Sequence, residues 1–242
     1  MQQQYQWLKP PLRVDESLRA TVSRDYRQLP RQGSAEPLHE WISDRYRIDL
    51  SSHYGCHAIS NPWGKASGQL SMTRRQVAED VAAGLGFVVL KTLIAESAEG
   101  VRSMDAWAIK ESRMLTEMIT SQAGREGWTV SWKGRGWWGS FAEYLQLVRK
   151  AREAARDSGT LIVPSCKYHL PEPDEVEWRW EEYLYTTDRL LAAWAESSDD
   201  NSEPMPLEKD FSPTLAGSDL SRMQVTILEW MRRVPELIKA AA

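Results

Sequence analysis

Short apolar runs alternate with amphipathic segments along most of the chain after residue 55. The predicted strands are HAIS (57–60), GFVVLKT (86–92), TLIVPS (160–165) and MPLEK (205–209). The predicted helices that follow them are RRQVAEDVAAGLG (74–86), FAEYLQLVRKAREAARD (141–157), DEVEWRWEEYLYTTDRLLAAWAES (174–197) and LSRMQVTILEWMRRVPELIKAAA (220–242). Thr73 and Ser140 are predicted to cap the first two. Strand followed by helix, four times, predicts an α/β fold built from parallel βαβ units.

Two regions fall outside this pattern. Residues 1–50 are polar and punctuated by proline, which predicts an extension with one short helix at 37–47 ahead of a main domain at 51–242. A long polar insertion runs from about 95 to 127, and WTVSW (128–132) after it is predicted to be an extra strand.

Composition narrows the function classes. The formal net charge of -4 gives no electrostatic support for a nucleic-acid partner. Two cysteines, no apolar leader and no apolar run of membrane-spanning length favour a cytoplasmic protein that makes no membrane contact. No Gly-x-Gly-x-x-Gly follows a strand, so a Rossmann nicotinamide site is unsupported. Twelve tryptophans indicate a large buried or partner-facing aromatic surface.

The carboxyl ends of parallel strands are where α/β barrels place reacting groups, and here three of the four ends carry a lysine. These are Lys91, Lys167 and Lys209. A lysine in an apolar strand costs desolvation energy unless an anionic or electron-rich group meets it. The alternative is that each ammonium reaches solvent past the end of its strand. The first reading predicts a ligand site at this edge of the sheet.

Three segments carry a resemblance to a known family. NPWGKASG (61–68) with its helix and GFVVLKT (86–92) resembles the first two strands of the dihydroorotate dehydrogenase family of FMN-dependent flavoproteins. WKGRGWWGSFAEYLQLV (132–148) is similar to that family's Asn-Ser-x-Gly loop and the helix after it. EKDFSPT (208–214) is similar to its fourth-strand loop. The resemblance implies a (βα)8 TIM barrel that binds FMN.

The resemblance also implies roles for individual residues. Ala66, Ser67 and Gly68 would give backbone and hydroxyl contacts to the flavin. Lys91 would approach the flavin ring and stabilise negative charge there. Ser212, immediately before a proline, would be the general base that removes a proton while hydride goes to the flavin. These roles make the chain an oxidoreductase acting on a small molecule.

The sequence departs from the family at the substrate-binding asparagines. Lys65, Lys133 and Lys209 stand where the family pattern has asparagine, and Thr214 replaces another. Asparagine offers paired donor and acceptor edges that suit a pyrimidine, whereas lysine offers only donors and positive charge. The substrate expected here is therefore not dihydroorotate itself but an undetermined, more anionic small molecule.

Four predicted strands make half of an eight-stranded barrel. An open four-stranded sheet would leave two edges unpaired and the barrel-facing apolar side wet, which invites association. We therefore expect a half TIM barrel of four βα units, completed by a partner chain that supplies strands five to eight and the cofactor phosphate site. A homodimer of half-barrels is an alternative without a phosphate loop.

Other functions stay open. The lysine-for-asparagine changes fit a non-catalytic scaffold or regulatory subunit of a heteromeric flavoprotein. Cys166 with His169 or His57 could form a nucleophile pair, or a zinc site with His53, but these are too few ligands for a closed structural site, and no metal is expected. The GRGWWGSF segment (134–141) fits a lid over a ligand and a partner interface equally well.

Overall fold

The structure, a computed structural model, describes residues 14–32, 38–108, 114–132, 136–170, 178–197, 203–211 and 220–240. Its contacts divide the chain into two units, Met1–Ile48 and Asp49–Ala242. No helix among the described residues is both long and apolar enough to pass through a membrane.

The first unit contains two helices joined by a buried carboxylate. Helix α1 spans Glu16–Gln32 and α2 spans Leu38–Tyr46, so the predicted short helix is present and a longer one precedes it. Asp25 of α1 accepts hydrogen bonds from Arg45 Nε at 3.0 Å and from the Tyr46 hydroxyl at 2.7 Å. These bonds lower the pKa of Asp25.

The second unit is mixed α/β. Its strands are β1 Ser52–Tyr54, β2 His57–Ile59, β3 Gly64–Lys65, β4 Phe87–Val89, β5 Leu93–Ile94, β6 Met114–Thr120, β7 Glu126–Trp132, β8 Leu161–Val163, β9 Ser165–Lys167 and β10 Glu208–Asp210. Its helices are α3 Arg74–Ala82, α4 Phe141–Ala155, α5 Trp180–Glu196 and α6 Leu220–Ala240, with a 3₁₀ turn at Asp105–Trp107.

The parallel strands pair in the order of the sequence. Strand β4 lies between β3 and β8, and β9 lies between β5 and β10, all in parallel. Because β4 leads into β5 and β8 into β9, these pieces form four successive strand paths. Pro164 interrupts the third path because it has no N–H to donate. Among the described residues none of the sheets closes into a barrel.

The first parallel strand is not the one that the sequence predicts. HAIS does form β2, but β2 pairs antiparallel with β1 in a hairpin that turns at Gly55. The parallel strand is β3, inside the segment predicted as a loop. Its Gly64 lies under the Phe87 ring, where any Cβ would collide, so the glycine permits this close pairing.

Local signals set the helix starts correctly. Thr73 and Ser140 both form capping boxes. In each, the cap side chain accepts a backbone N–H of the first turn, and the side chain of Gln76 or Glu143 accepts the backbone N–H of the cap. Helix α5 is described from Trp180, inside the predicted 174–197. In the insertion, the predicted extra strand is part of β7, which pairs over seven residues with β6, a strand that the sequence pattern did not predict.

Strand alternation separates two faces of the parallel sheet. Val88, Leu90 and Ile162 pack with helices α4 and α5 in the main apolar core. Their neighbours along each strand therefore point to the opposite side, which we call the inner face. The inner face includes Phe87, Val89, Lys91, Val163, Ser165 and Lys167. Apart from the partly buried Phe87, these residues are buried within the chain. The sequence analysis expected this side of an open sheet to be exposed to water, and for these residues that expectation is wrong.

Candidate functional site

A β-bulge interrupts the second strand path at Lys91 and Thr92. Val89 pairs with Val163 and Leu93 pairs with Cys166. The chain takes four steps from Val89 to Leu93 while its partner strand takes three, so the second path carries one extra residue. Bulges redirect side chains and break a ladder locally, and this one follows the carboxyl end of β4, before the path continues in β5.

The bulge leaves a gap in the ladder that a tyrosine fills. On either side of it, Leu90 N–H donates to the Val163 carbonyl at 2.9 Å, and Ala95 N–H donates to the Lys167 carbonyl at 3.0 Å. Between them, the Tyr144 hydroxyl accepts from the Ser165 N–H and donates to the Ser165 carbonyl, each at 3.1 Å. Helix α4 thus provides hydrogen-bond partners for the backbone of Ser165, a strand residue that faces the bulge.

A chain of hydroxyl groups crosses the strand ends beside that tyrosine. Ser165 Oγ donates to Thr92 Oγ1 at 3.1 Å, and Thr92 Oγ1 lies 2.7 Å from Ser67 Oγ. Ser67 Oγ also accepts the Thr92 N–H at 2.9 Å. Ser165 is buried, and Thr92 and Ser67 are partly buried, so the series of hydroxyl groups runs from the interior towards the surface.

Lys91 lies in the bulge on the inner face. The residue is 5% exposed, and its N–H donates to the Ser71 carbonyl at 3.0 Å. A buried ammonium at a bulge, at the carboxyl end of a parallel strand, occupies the place where barrels hold reacting groups. Ser67 is bonded to Thr92, the residue that follows Lys91 in the bulge.

The predicted flavin-contact turn leads away from this bulge. Ser71 Oγ donates to the Gly68 carbonyl and accepts the Gly68 N–H, each at 3.2 Å. Ala66 is exposed, and Ser67 and Gly68 are partly buried. The turn therefore offers surface next to the buried lysine.

The other predicted substrate lysines lie elsewhere. Lys65 pairs with the Asp80 carboxylate of α3, and its register with Val88 places it on the helix side of the sheet. Lys209 is in register with Cys166 on the same helix side, and burial lowers its pKa. Strand alternation thus separates both from Lys91. The predicted residues Lys133 and Ser212 lie outside the described residues.

An ion pair at the strand ends was missed by the sequence analysis. Lys167 Nζ lies 2.8 Å from Asp210 Oδ2 and 4.6 Å from the centre of the Trp107 ring. Strand β9, which carries Lys167, and strand β10, which carries Asp210, both contribute to the inner face. The lysine at the strand end was a visible signal, but its partners come from another strand and from the insertion.

The tryptophan pair divides between two environments. Trp137 is buried, and its backbone N–H donates to the Thr92 carbonyl at 2.6 Å. Its ring packs edge-on against the Tyr144 ring. Trp138 is 46% exposed. Trp137 therefore covers the bulge from the chain's own side, whereas Trp138 is placed to meet a ligand or a partner.

The cysteine alternative loses its chemical basis here. Cys166 is buried, and burial raises the pKa of its thiol well above the usual range, which disfavours the thiolate that a nucleophile needs. Within the described ranges, no group of three or more His, Cys, Asp or Glu residues is arranged to hold a metal ion.

Comparison with known proteins gives no family. No protein-family model matches the chain, and no curated protein matches it. The functional argument therefore depends on the residues and their geometry.

Proposed function

We propose that this chain is one subunit of a cytoplasmic FMN-dependent oxidoreductase similar to dihydroorotate dehydrogenase. In this proposal it forms the N-terminal half of a (βα)8 barrel, and a second half-barrel chain supplies strands five to eight. The observation that carries the proposal is the buried Lys91 on a bulge just beyond the carboxyl end of β4, among parallel strands that pair in sequence order.

The donor set suits a flavin. Lys91 contributes a cation, Ser67 a partly buried hydroxyl, and the turn at Ala66 and Gly68 a partly exposed backbone. The Lys91 ammonium and the Ser67 hydroxyl can both donate to the carbonyl-rich edge of an isoalloxazine ring. The flavin, when bound, supplies a ring that accepts hydride. The chain's part is to hold that ring and, through Lys91, to stabilise negative charge beside it.

The substrate in this proposal is a small molecule with an anionic group, undetermined in structure. Ser212, two residues beyond β10, is proposed as the general base that takes its proton. Lys133 remains the proposed substrate cation, since Lys65 is engaged by Asp80 and Lys209 lies on the helix side.

The test is flavin content and flavin reduction in the complex that co-purifies with the chain. We expect a yellow complex whose flavin is reduced by the substrate, or by a small molecule found in a screen of candidate reductants. Lys91→Ala should abolish that reduction, while Lys150→Ala, which removes an exposed lysine of α4, should leave it unchanged. Equal reduction in both variants would remove Lys91 from the site.

One set of contacts favours a second function, a non-catalytic scaffold or regulatory subunit of a heteromeric flavoprotein. Lys65 is paired with Asp80 and Lys167 with Asp210, so two lysines of the parallel strands already have structural partners. A colourless complex that nevertheless stays tightly associated would select this function over catalysis.

A further inference from the structure

We infer that Tyr144 is a positioning residue that holds the bulge open and thereby sets where Lys91 points. The contact geometry stands by itself, while the consequence for catalysis rests on the proposed function. No pattern in the sequence assigns Tyr144 this role, because its partner, Ser165, lies on a strand 21 residues away along the chain.

The ladder shows why the tyrosine is needed at this point. The Val163 and Lys167 carbonyls both bond to the second strand path, at Leu90 and Ala95. Alternation therefore directs the peptide groups of Ser165 at the same path. The bulge has carried the Leu90–Thr92 segment of that path away from the Ser165 N–H, since the Thr92 N–H donates to Ser67 instead. Beyond the bulge, the parallel pairing of Leu93 with Cys166 returns the Leu93 N–H to the Ser165 carbonyl. Tyr144 supplies a donor and an acceptor in one atom.

The bulge changes which side chains the strand can display. A regular strand presents alternate residues to one face, so Lys91 and Thr92 would point in opposite directions. Here Lys91 is on the inner face, and the Thr92 hydroxyl bonds to Ser165, which is on the inner face too. Two adjacent polar residues thus reach the same strand ends. If the strand closed onto Ser165, this arrangement would be lost.

The tyrosine is suited to a permanent double role. Burial raises the pKa of Tyr144 well above its ordinary value, so the hydroxyl stays protonated and can donate and accept at once. A phenylalanine would retain the ring contacts with Trp137 but would leave the Ser165 N–H without its partner and remove one donor from the Ser165 carbonyl.

The test measures the acylation rate of individual lysines by acetic anhydride, across pH, in the full chain with peptide mass spectrometry. Lys91 and Lys167 are equally buried at 5% exposure, so each is the other's control. In Tyr144→Phe we expect about a tenfold faster acylation of Lys91 and a shifted pH profile, because the strand segment of the bulge is no longer held in place and Lys91 reaches solvent more often. Lys167 should keep its rate. Equal acceleration of both lysines, or none, would overturn the inference.

A matched variant and a variant-free measurement complete the design. Tyr168→Phe removes another fully buried hydroxyl, bonded to Thr187 at 2.8 Å, and should leave the acylation rate of Lys91 unchanged. In the unaltered chain, the Ser165 amide should exchange its hydrogen as slowly as neighbouring ladder amides. Rapid exchange there would refute the bond between the Tyr144 hydroxyl and the Ser165 N–H even if Tyr144→Phe did not fold. Neither measurement needs flavin. Both therefore still test the role of Tyr144 if the flavin assay of the proposed function fails.

Discussion

Lys91→Met separates a lysine retained for function from one retained for stability. Lys91 is buried at 5% exposure in a strand path whose neighbours Leu90 and Leu93 are in the apolar core. Methionine has an unbranched stem of similar reach, so the substitution keeps the packing of the side chain and removes mainly the charge. The free energy of unfolding should therefore report the net cost of holding the ammonium there.

The expected magnitude follows from desolvation. Taking an ammonium out of water costs several kcal/mol, and its replacement by a well-packed apolar side chain recovers that cost less whatever the contacts of the ammonium contribute. We expect Lys91→Met to change stability by between zero and a gain of about 3 kcal/mol. A lysine that held the fold together through an ion pair would instead cost about 3–5 kcal/mol when removed.

Urea unfolding followed by far-ultraviolet circular dichroism measures the difference. Lys150→Met on the exposed side of α4 is the control and should stay within about 0.5 kcal/mol of the parent chain. The slope of the transition must match between variants, so that the midpoints report stability alone. A loss of more than about 1 kcal/mol in Lys91→Met would refute the reasoning and assign the lysine to the fold.

Two further predictions test the packing around the site. Gly86→Ala should destabilise by about 3 kcal/mol because a Cβ there would collide with the backbone carbonyl of Asn61. Gly84→Ala, at a positive φ of 73° in open space, should cost only about 1 kcal/mol by thermal unfolding, and equal losses would contradict the collision. Iodoacetamide should modify Cys56 rapidly and Cys166 only after unfolding, because Cys166 is buried and burial raises its thiol pKa. Two fast thiols in the native chain would contradict that burial.

Features that depend on neighbouring residues were predictable from the sequence. Both capping boxes lie within four residues, and the apolar runs at 86–92 and 160–165 contain strands where expected. The parallel pairing of these runs followed from the strand–helix alternation, because short connections and covered strands leave few arrangements. Helix α1 was missed because its polar composition hides its periodicity, and strand β6 because its apolar residues come in adjacent pairs and do not alternate with polar ones.

Features that depend on register were not predictable. A displacement of one residue along a strand transfers every side chain to the other face. Because the first parallel strand is β3 and not HAIS, Lys65 falls within a strand on the helix side instead of in an active-site loop. The register of β10 with β9 likewise places Lys209 opposite Cys166, on the helix side. Sequence patterns carry no record of which strand residues come opposite each other.

The bulge combines both kinds of feature, and its compensation argues that it is functional. An interrupted ladder in a buried strand leaves peptide groups that cost free energy unless each finds a partner. Here the Lys91 N–H bonds to Ser71, the Thr92 N–H to Ser67, and the Thr92 carbonyl to Trp137. A regular strand would satisfy the same groups without three separate segments and a buried tyrosine. The chain retains the irregular form around a buried cation at the strand ends, and such compensated irregularity is typical of sites where position matters more than stability.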